Sequence, residues 1–132
     1  MKITCMLLFG ILVLGACKRG PILKICSKEY LIYGVRILSS TREPVPLDTF
    51  YTRFVATNRT FHSNELWSSR EEGVYAITSD GQSDLFPVGK NIKLQFIGIK
   101  HNKIIVNEPY MFRNDGCHVE KKSGKSEVIV DL

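Results

Sequence analysis

The sequence predicts an all-β fold, a single antiparallel β-sandwich of about seven strands. Three observations carry that prediction. Beyond residue 28, apolar residues recur at every second position in most apolar segments, the period of a half-buried strand. Gly, Pro, Asn and Asp punctuate those segments at the spacing of turns. No stretch there sustains an apolar stripe at the period of 3.6 that a helix needs to face a core. A length of 132 residues accommodates one such core and excludes two. With 44% hydrophobic, 10% aromatic and 23% charged residues, the composition is that of an ordinary globular domain, which excludes disorder over the whole chain.

Residues 29–38 (EYLIYGVRIL) open the series, with Tyr33, Val35 and Ile37 on one face and Gly34 and Arg36 on the other. In the second strand Phe50, Thr52, Phe54 and Ala56 alternate with Tyr51, Arg53 and Val55. Residues 74–77 (VYAI) are a short third. In the fourth, Ile92, Leu94 and Phe96 alternate with Lys93 and Gln95, and the run continues through Ile97 and Ile99 to Lys100. Residues 103–106 (KIIV), 109–112 (PYMF) and 127–131 (EVIVD) complete the set. Turns are expected at 43–46 (EPVP), Asp80-Gly81, 87–89 (PVG), His101-Asn102, Asp115-Gly116 and Ser123-Gly124. Helix is expected only as a turn or two around 63–67 (SNELW), where a capping residue is followed by no continuing stripe.

The N-terminal segment is of another kind. Met1-Lys2 precedes an apolar run over residues 3–16 that ends at Lys18 and Arg19. A charged start followed by an apolar run of this length is the pattern of a signal peptide, and it falls short of the roughly 20 residues a membrane-spanning helix needs. The run closes on Leu14-Gly15-Ala16-Cys17, which resembles the lipobox of bacterial lipoproteins. The resemblance implies cleavage after Ala16 and a diacylglyceryl group on Cys17, with no other cofactor. Residues 1–16 are then a lipoprotein signal peptide, 17–28 a lipidated tether and 29–132 the sandwich domain. Each buried methylene of an acyl chain contributes about 0.8 kcal/mol, so two or three chains hold firmly where one does not. The competing expectation is an ordinary secretory signal that leaves Cys17 a plain thiol. Lys18 and Arg19 stand where some lipoproteins carry an inner-membrane retention Asp, so the expected location is the outer membrane, facing the periplasm. The tether mixes charge with Gly20 and Pro21 and reaches at most about 35 Å at 3.3–3.6 Å per residue.

Four segments of the remaining chain resemble the transthyretin-like, or carboxypeptidase-regulatory-like, β-sandwich domains of bacterial envelope proteins, with Ig-like architecture. They are Gly34-Val35-Arg36-Ile37, the stretch 43–48 (EPVPLD), Gly73-Val74-Tyr75 and the stretch 89–98 (GKNIKLQFIG). Members usually carry Thr-Asp ahead of the Gly-x-Tyr step, where this chain has Glu71-Glu72. The resemblance implies an accessory module and brings no catalytic residue to any position here.

Few residues point to chemistry. With Cys5 in the leader and Cys17 assigned to lipid, Cys26 and Cys117 remain as a disulfide candidate in a permissive compartment, closing a loop of about 90 residues. Two unpaired thiols are the alternative, because spacing alone does not bring α-carbons within bonding distance. Cys117-His118 invites a nucleophile–base reading, but successive side chains on a strand face opposite ways. His62, His101 and His118 are isolated, without the short ligand spacings of a zinc site, and no metal is expected. Residues 80–84 (DGQSD) lack the alternating acids of a calcium loop and read as a connecting turn. Gly124-Lys125-Ser126 lacks the upstream glycine of a phosphate loop, and Asn58-Arg59-Thr60 fits a glycan acceptor only in a host with that machinery.

The formal charge of +5, from 18 basic against 13 acidic residues, is too modest without clustering to indicate nucleic acid as a partner. Positive charge gathers in two turn regions, at Lys100, His101 and Lys103 and at Lys121, Lys122 and Lys125. Brought to one end of a sandwich, they would form a basic rim for anionic headgroups, lipopolysaccharide phosphates or an acidic envelope protein. Tyr51, Trp67 and Tyr110 are candidates for an aromatic platform. The expected function is that of a non-enzymatic, membrane-anchored envelope lipoprotein acting as a binding or scaffolding module. Its rivals are a sandwich that binds a glycan or hydrophobic small molecule and a small Cys/His-dependent enzyme.

Overall fold

The computed structural model of the chain describes residues 24–63 and 71–132. The leader, Cys17 and residues 64–67 of the expected helical turn, Trp67 among them, lie outside the described residues. Among the described residues there are eight strands: β1 (Ile32–Ser39), β2 (Thr49–Phe54), β3 (Thr60–Phe61), β4 (Val74–Ser79), β5 (Asn91–Lys100), β6 (Lys103–Asn114), β7 (Val119–Ser123) and β8 (Glu127–Val130). They form a three-stranded sheet of order β4-β1-β8 and a five-stranded sheet of order β3-β2-β5-β6-β7. The two pack face to face as an all-β sandwich, as the alternation predicts.

The core draws on both sheets. Val35, Ile37, Tyr75, Ile77, Val128 and Val130 come from the smaller one, and Phe54, Leu94, Phe96, Tyr110, Phe112 and Val119 from the larger. Val35, Ile37, Phe54, Leu94 and Phe96 are among the residues the two-residue period assigns to one face of a strand, whereas Tyr110 and Val119 are core residues it does not mark, and β4 is buried on both faces. At one side of the sandwich the sheets are stitched by the Thr52 hydroxyl, which donates to the Ile77 carbonyl at 2.6 Å. Tyr75 fixes the crossing from β1 to β2: its hydroxyl donates to the Val45 carbonyl (3.0 Å) and accepts the Leu47 N–H (2.7 Å).

The strand set and pairing differ from expectation, first in β3, a two-residue strand paired with β2 that the sequence does not mark. Residues 103–106 and 109–112 are one strand, β6, despite Pro109. β7 pairs with β6 only from Met111 onward, so no partner on that side needs the N–H that proline lacks. β7 itself reads as a cluster of charge, Glu120, Lys121 and Lys122, but it is an edge strand, where lysines discourage pairing with another chain. The pairing of β8 with β1 is parallel, while all others within the sheets are antiparallel. Finally, residues 80–85 form a 3-10 helix, Asp80–Leu85, capped by Ser79 and Gln82 in a reciprocal capping box.

The β5–β6 hairpin turns through His101 (φ 48°) and Asn102 (φ 60°), both left-handed, as a two-residue loop of this twist demands. From that tip β6 runs about 35 Å to the opposite end of the sandwich. There the chain turns through 115–118 into β7.

Candidate functional site

Chemistry-bearing side chains concentrate at the end of the sandwich away from the His101-Asn102 tip. Cys26 is bonded to Cys117, with α-carbons 5.3 Å apart, so the segment that precedes β1 is fastened to the β6–β7 turn. Asp115 builds that turn. Its Oδ1 accepts the N–H groups of Cys117 and His118, both at 2.8 Å, and its Oδ2 lies 2.8 Å from the Lys24 ammonium. Lys24 and these N–H groups hold the Asp115 carboxyl far below the usual carboxylate range.

Beside the disulfide, three side chains from distant parts of the chain make a hydrogen-bonded series. His118 Nδ1 lies 2.7 Å from Asp80 Oδ2, and His118 Nε2 lies 2.9 Å from the Ser27 hydroxyl. Asp80 also accepts the N–H groups of Leu31 (3.0 Å) and Val119 (2.8 Å). Burial pushes its carboxyl up, but these donors and the His118 ring outweigh burial and leave it below the ordinary value. In the tautomer with its hydrogen on Nδ1, the ring donates to the Asp80 carboxylate and Nε2 accepts the Ser27 hydroxyl. From the sequence Asp80 reads only as part of the turn over residues 80–84, and Ser27 as part of the tether. The Ser-x-x-Gln pattern at 79–82 marks the capped start of the 3-10 helix that positions Asp80, while nothing local marks Ser27.

Cys117 is in the disulfide and offers no free thiolate to His118. His62 packs edge-on against Tyr51 at 6.2 Å, and His101 sits in the distal hairpin. Among the described residues, no group of three or more His, Cys, Asp or Glu side chains is placed to hold a metal ion, and no helix is long and apolar enough to cross a membrane.

The two basic clusters do not meet at one end of the sandwich. Lys103 opens β6, whereas Lys121 is registered against Phe112, nine positions further on and about 30 Å away. The Lys121 ammonium donates to Ser126 (2.9 Å), Lys122 pairs with Glu120 (2.7 Å) and Lys125 with Glu108 (3.0 Å). At the distal tip Lys100 donates to the Pro46 carbonyl (2.8 Å), and the His101 N–H donates to Asp48 (2.6 Å). A single rim is therefore not formed, because the strand register sets the clusters apart and acids or acceptors engage most of their members. Of the expected aromatic platform, Tyr110 is buried, its hydroxyl donating to the Lys125 carbonyl at 2.8 Å, and Tyr51 lies partly buried on the outer face of the larger sheet.

The same end of the sandwich as the disulfide carries an apolar hollow of about 520 Å³. It opens where β2 leaves its sheet, between the turn over residues 54–59 and the segment over 85–93. Asn91 pairs with Arg113 and Val88 bridges to Asn114, which sets this hollow beside the end of β6 and the disulfide-bearing turn. Its lining includes the apolar Phe54, Leu85, Pro87 and Ile92 together with Arg59 and Lys93. Comparison with known proteins matches no family model, no curated protein and no solved structure.

Proposed function

We propose that the chain is a non-enzymatic lipoprotein of a bacterial cell envelope, anchored through acyl chains on Cys17, whose β-sandwich is a binding or scaffolding module. The observation that carries this reading is the disulfide between Cys26 and Cys117. A structural disulfide belongs to oxidising compartments, which agrees with the signal-like leader. It also fastens the chain only nine residues after Cys17, so the free tether spans at most about 30 Å. An anchor at Cys17 then holds the disulfide end of the sandwich close to its membrane and leaves the His101-Asn102 tip outermost. The transthyretin-like resemblance and residence at the outer membrane, facing the periplasm, belong to the same proposal. Partners on this reading are the membrane itself and an envelope protein or anionic envelope polymer.

The test is to express the full chain and its Cys17→Ala variant with an isotopically labelled fatty acid. Label on the parent and none on the variant supports the anchor, and equal label on both refutes it. A second reading, a sandwich that binds a hydrophobic small molecule, is favoured by the apolar hollow.

A further inference from the structure

Three features of the hollow bear on what it holds. Its volume, about 520 Å³, lies in the range of small-molecule sites, roughly 300–1,000 Å³. Its wall is apolar, and the neighbouring Val55 and Val88 are 44% and 66% exposed, so uncovered apolar surface extends around the mouth. Its charge has one sign: Arg59 and Lys93 line it and no acid does among the described residues. Neither cation has an ion-pair partner there, in contrast to Lys122 and Lys125. An apolar trough with two unneutralised cations complements a ligand that has a hydrocarbon body and an anionic head.

We propose that this hollow binds a single-chain anionic amphiphile drawn from the membrane. The acyl chain lies against Phe54, Leu85, Pro87 and Ile92, where burial of its methylenes supplies the affinity. The carboxylate or phosphate head sits between Arg59, whose planar fork suits a two-oxygen anion, and Lys93. The inference deepens the binding-module reading and rests on it for the source of the ligand, because the tether holds this end of the sandwich nearest the bilayer. The wall itself is independent of the anchor.

The test uses the full chain in nanodiscs of zwitterionic lipid, with a diazirine-bearing long-chain fatty acid as probe and the labelled peptides mapped by mass spectrometry. Labelling is expected within residues 54–59 and 85–93. An excess of unlabelled fatty acid should abolish it, and the methyl ester of the same acid should not. The Arg59→Gln/Lys93→Gln double variant should need about tenfold more probe for half-labelling, and Ala56→Trp, which crowds the exposed mouth without touching the core, should block it. Labelling scattered outside these segments, or unaffected by both variants, overturns the proposal. Labelling of the Cys17→Ala chain alone also overturns it, since the protein's own acyl group then fills the hollow. If the intact mass shows no acyl group on Cys17 while labelling of the hollow persists, the anchor reading fails and the ligand site stands.

Discussion

His118 holds its Nδ1 atom 2.7 Å from Oδ2 of Asp80, joining the start of β7 to the capped end of β4. Asp80 binds the Leu31 and Val119 N–H groups as well, so one carboxylate gathers three chain segments. Hydrogen bonds to a charged group contribute about 1.5–3 kcal/mol, and Asp80→Asn is expected to lower stability at pH 7 by about 2 kcal/mol. The sign of the pH effect follows from the lowered carboxyl. Its contribution is complete above the unfolded-chain value near 3.9 and is lost as pH falls through the folded value. Denaturant titrations between pH 7 and pH 2 should show a smaller acid loss for the Asn variant than for the parent. Asp115, lowered by Lys24 and the turn's N–H groups, is a second carboxyl whose ionised form favours the fold in the same direction.

Reducing the disulfide removes a cross-link that spans 91 positions of sequence. The Cys26→Ser/Cys117→Ser variant should lose about 2–4 kcal/mol in guanidinium unfolding. It should also become cleavable in residues 24–29, which form no strand and are held by the disulfide, the Lys24 pair and the Ser27 contact, whereas Leu31 stays fastened to Asp80. Thiol titration of the denatured, unreduced parent should find neither of these two cysteines.

Two buried threonines should respond in opposite ways to the same substitution. Thr52 donates to the Ile77 carbonyl between the sheets, whereas Thr78 Oγ1 is buried without a hydrogen-bond partner. Thr52→Val should cost about 1 kcal/mol, while Thr78→Val should be neutral or stabilise by up to about 1 kcal/mol. Paired thermal melts at pH 7 decide it.

Gly124 and Gly89 separate backbone strain from crowding. Both have positive φ, 125° and 79°. A Cβ at Gly124 would fall 2.1 Å from the Tyr110 ring, and one at Gly89 would meet nothing within 4 Å. Gly89→Ala should cost about 1 kcal/mol of backbone strain, and Gly124→Ala clearly more, because Tyr110 is buried and its hydroxyl is tied to the Lys125 carbonyl. Equal losses in chemical denaturation would contradict the packing of Tyr110 on the β7–β8 turn.

Alternation made the sandwich legible, since Val35 and Ile37, Leu94 and Phe96, and Val128 and Val130 are core residues at the positions that period assigns. What stayed hidden depends on partners far along the chain. β7 is held as a strand by pairing with Phe112 and Arg113, and its own sequence is mostly charge and a serine. Whether the two basic clusters share one end is open in the sequence, because adjacency in turns says nothing about register, and a nine-position offset along β6 decides where Lys121 lies relative to Lys103. Ser27, Asp80 and His118, like Arg59 and Lys93, are brought near one another only by the packed sheets.

The intact mass of the protein extracted from membranes tests the central claim most directly. The account predicts a chain lacking residues 1–16, heavier by a diacylglyceryl group on Cys17 and lighter by the two hydrogens of the bonded Cys26 and Cys117. A chain with an unmodified Cys17 thiol, whether cleaved elsewhere or uncleaved, would contradict it.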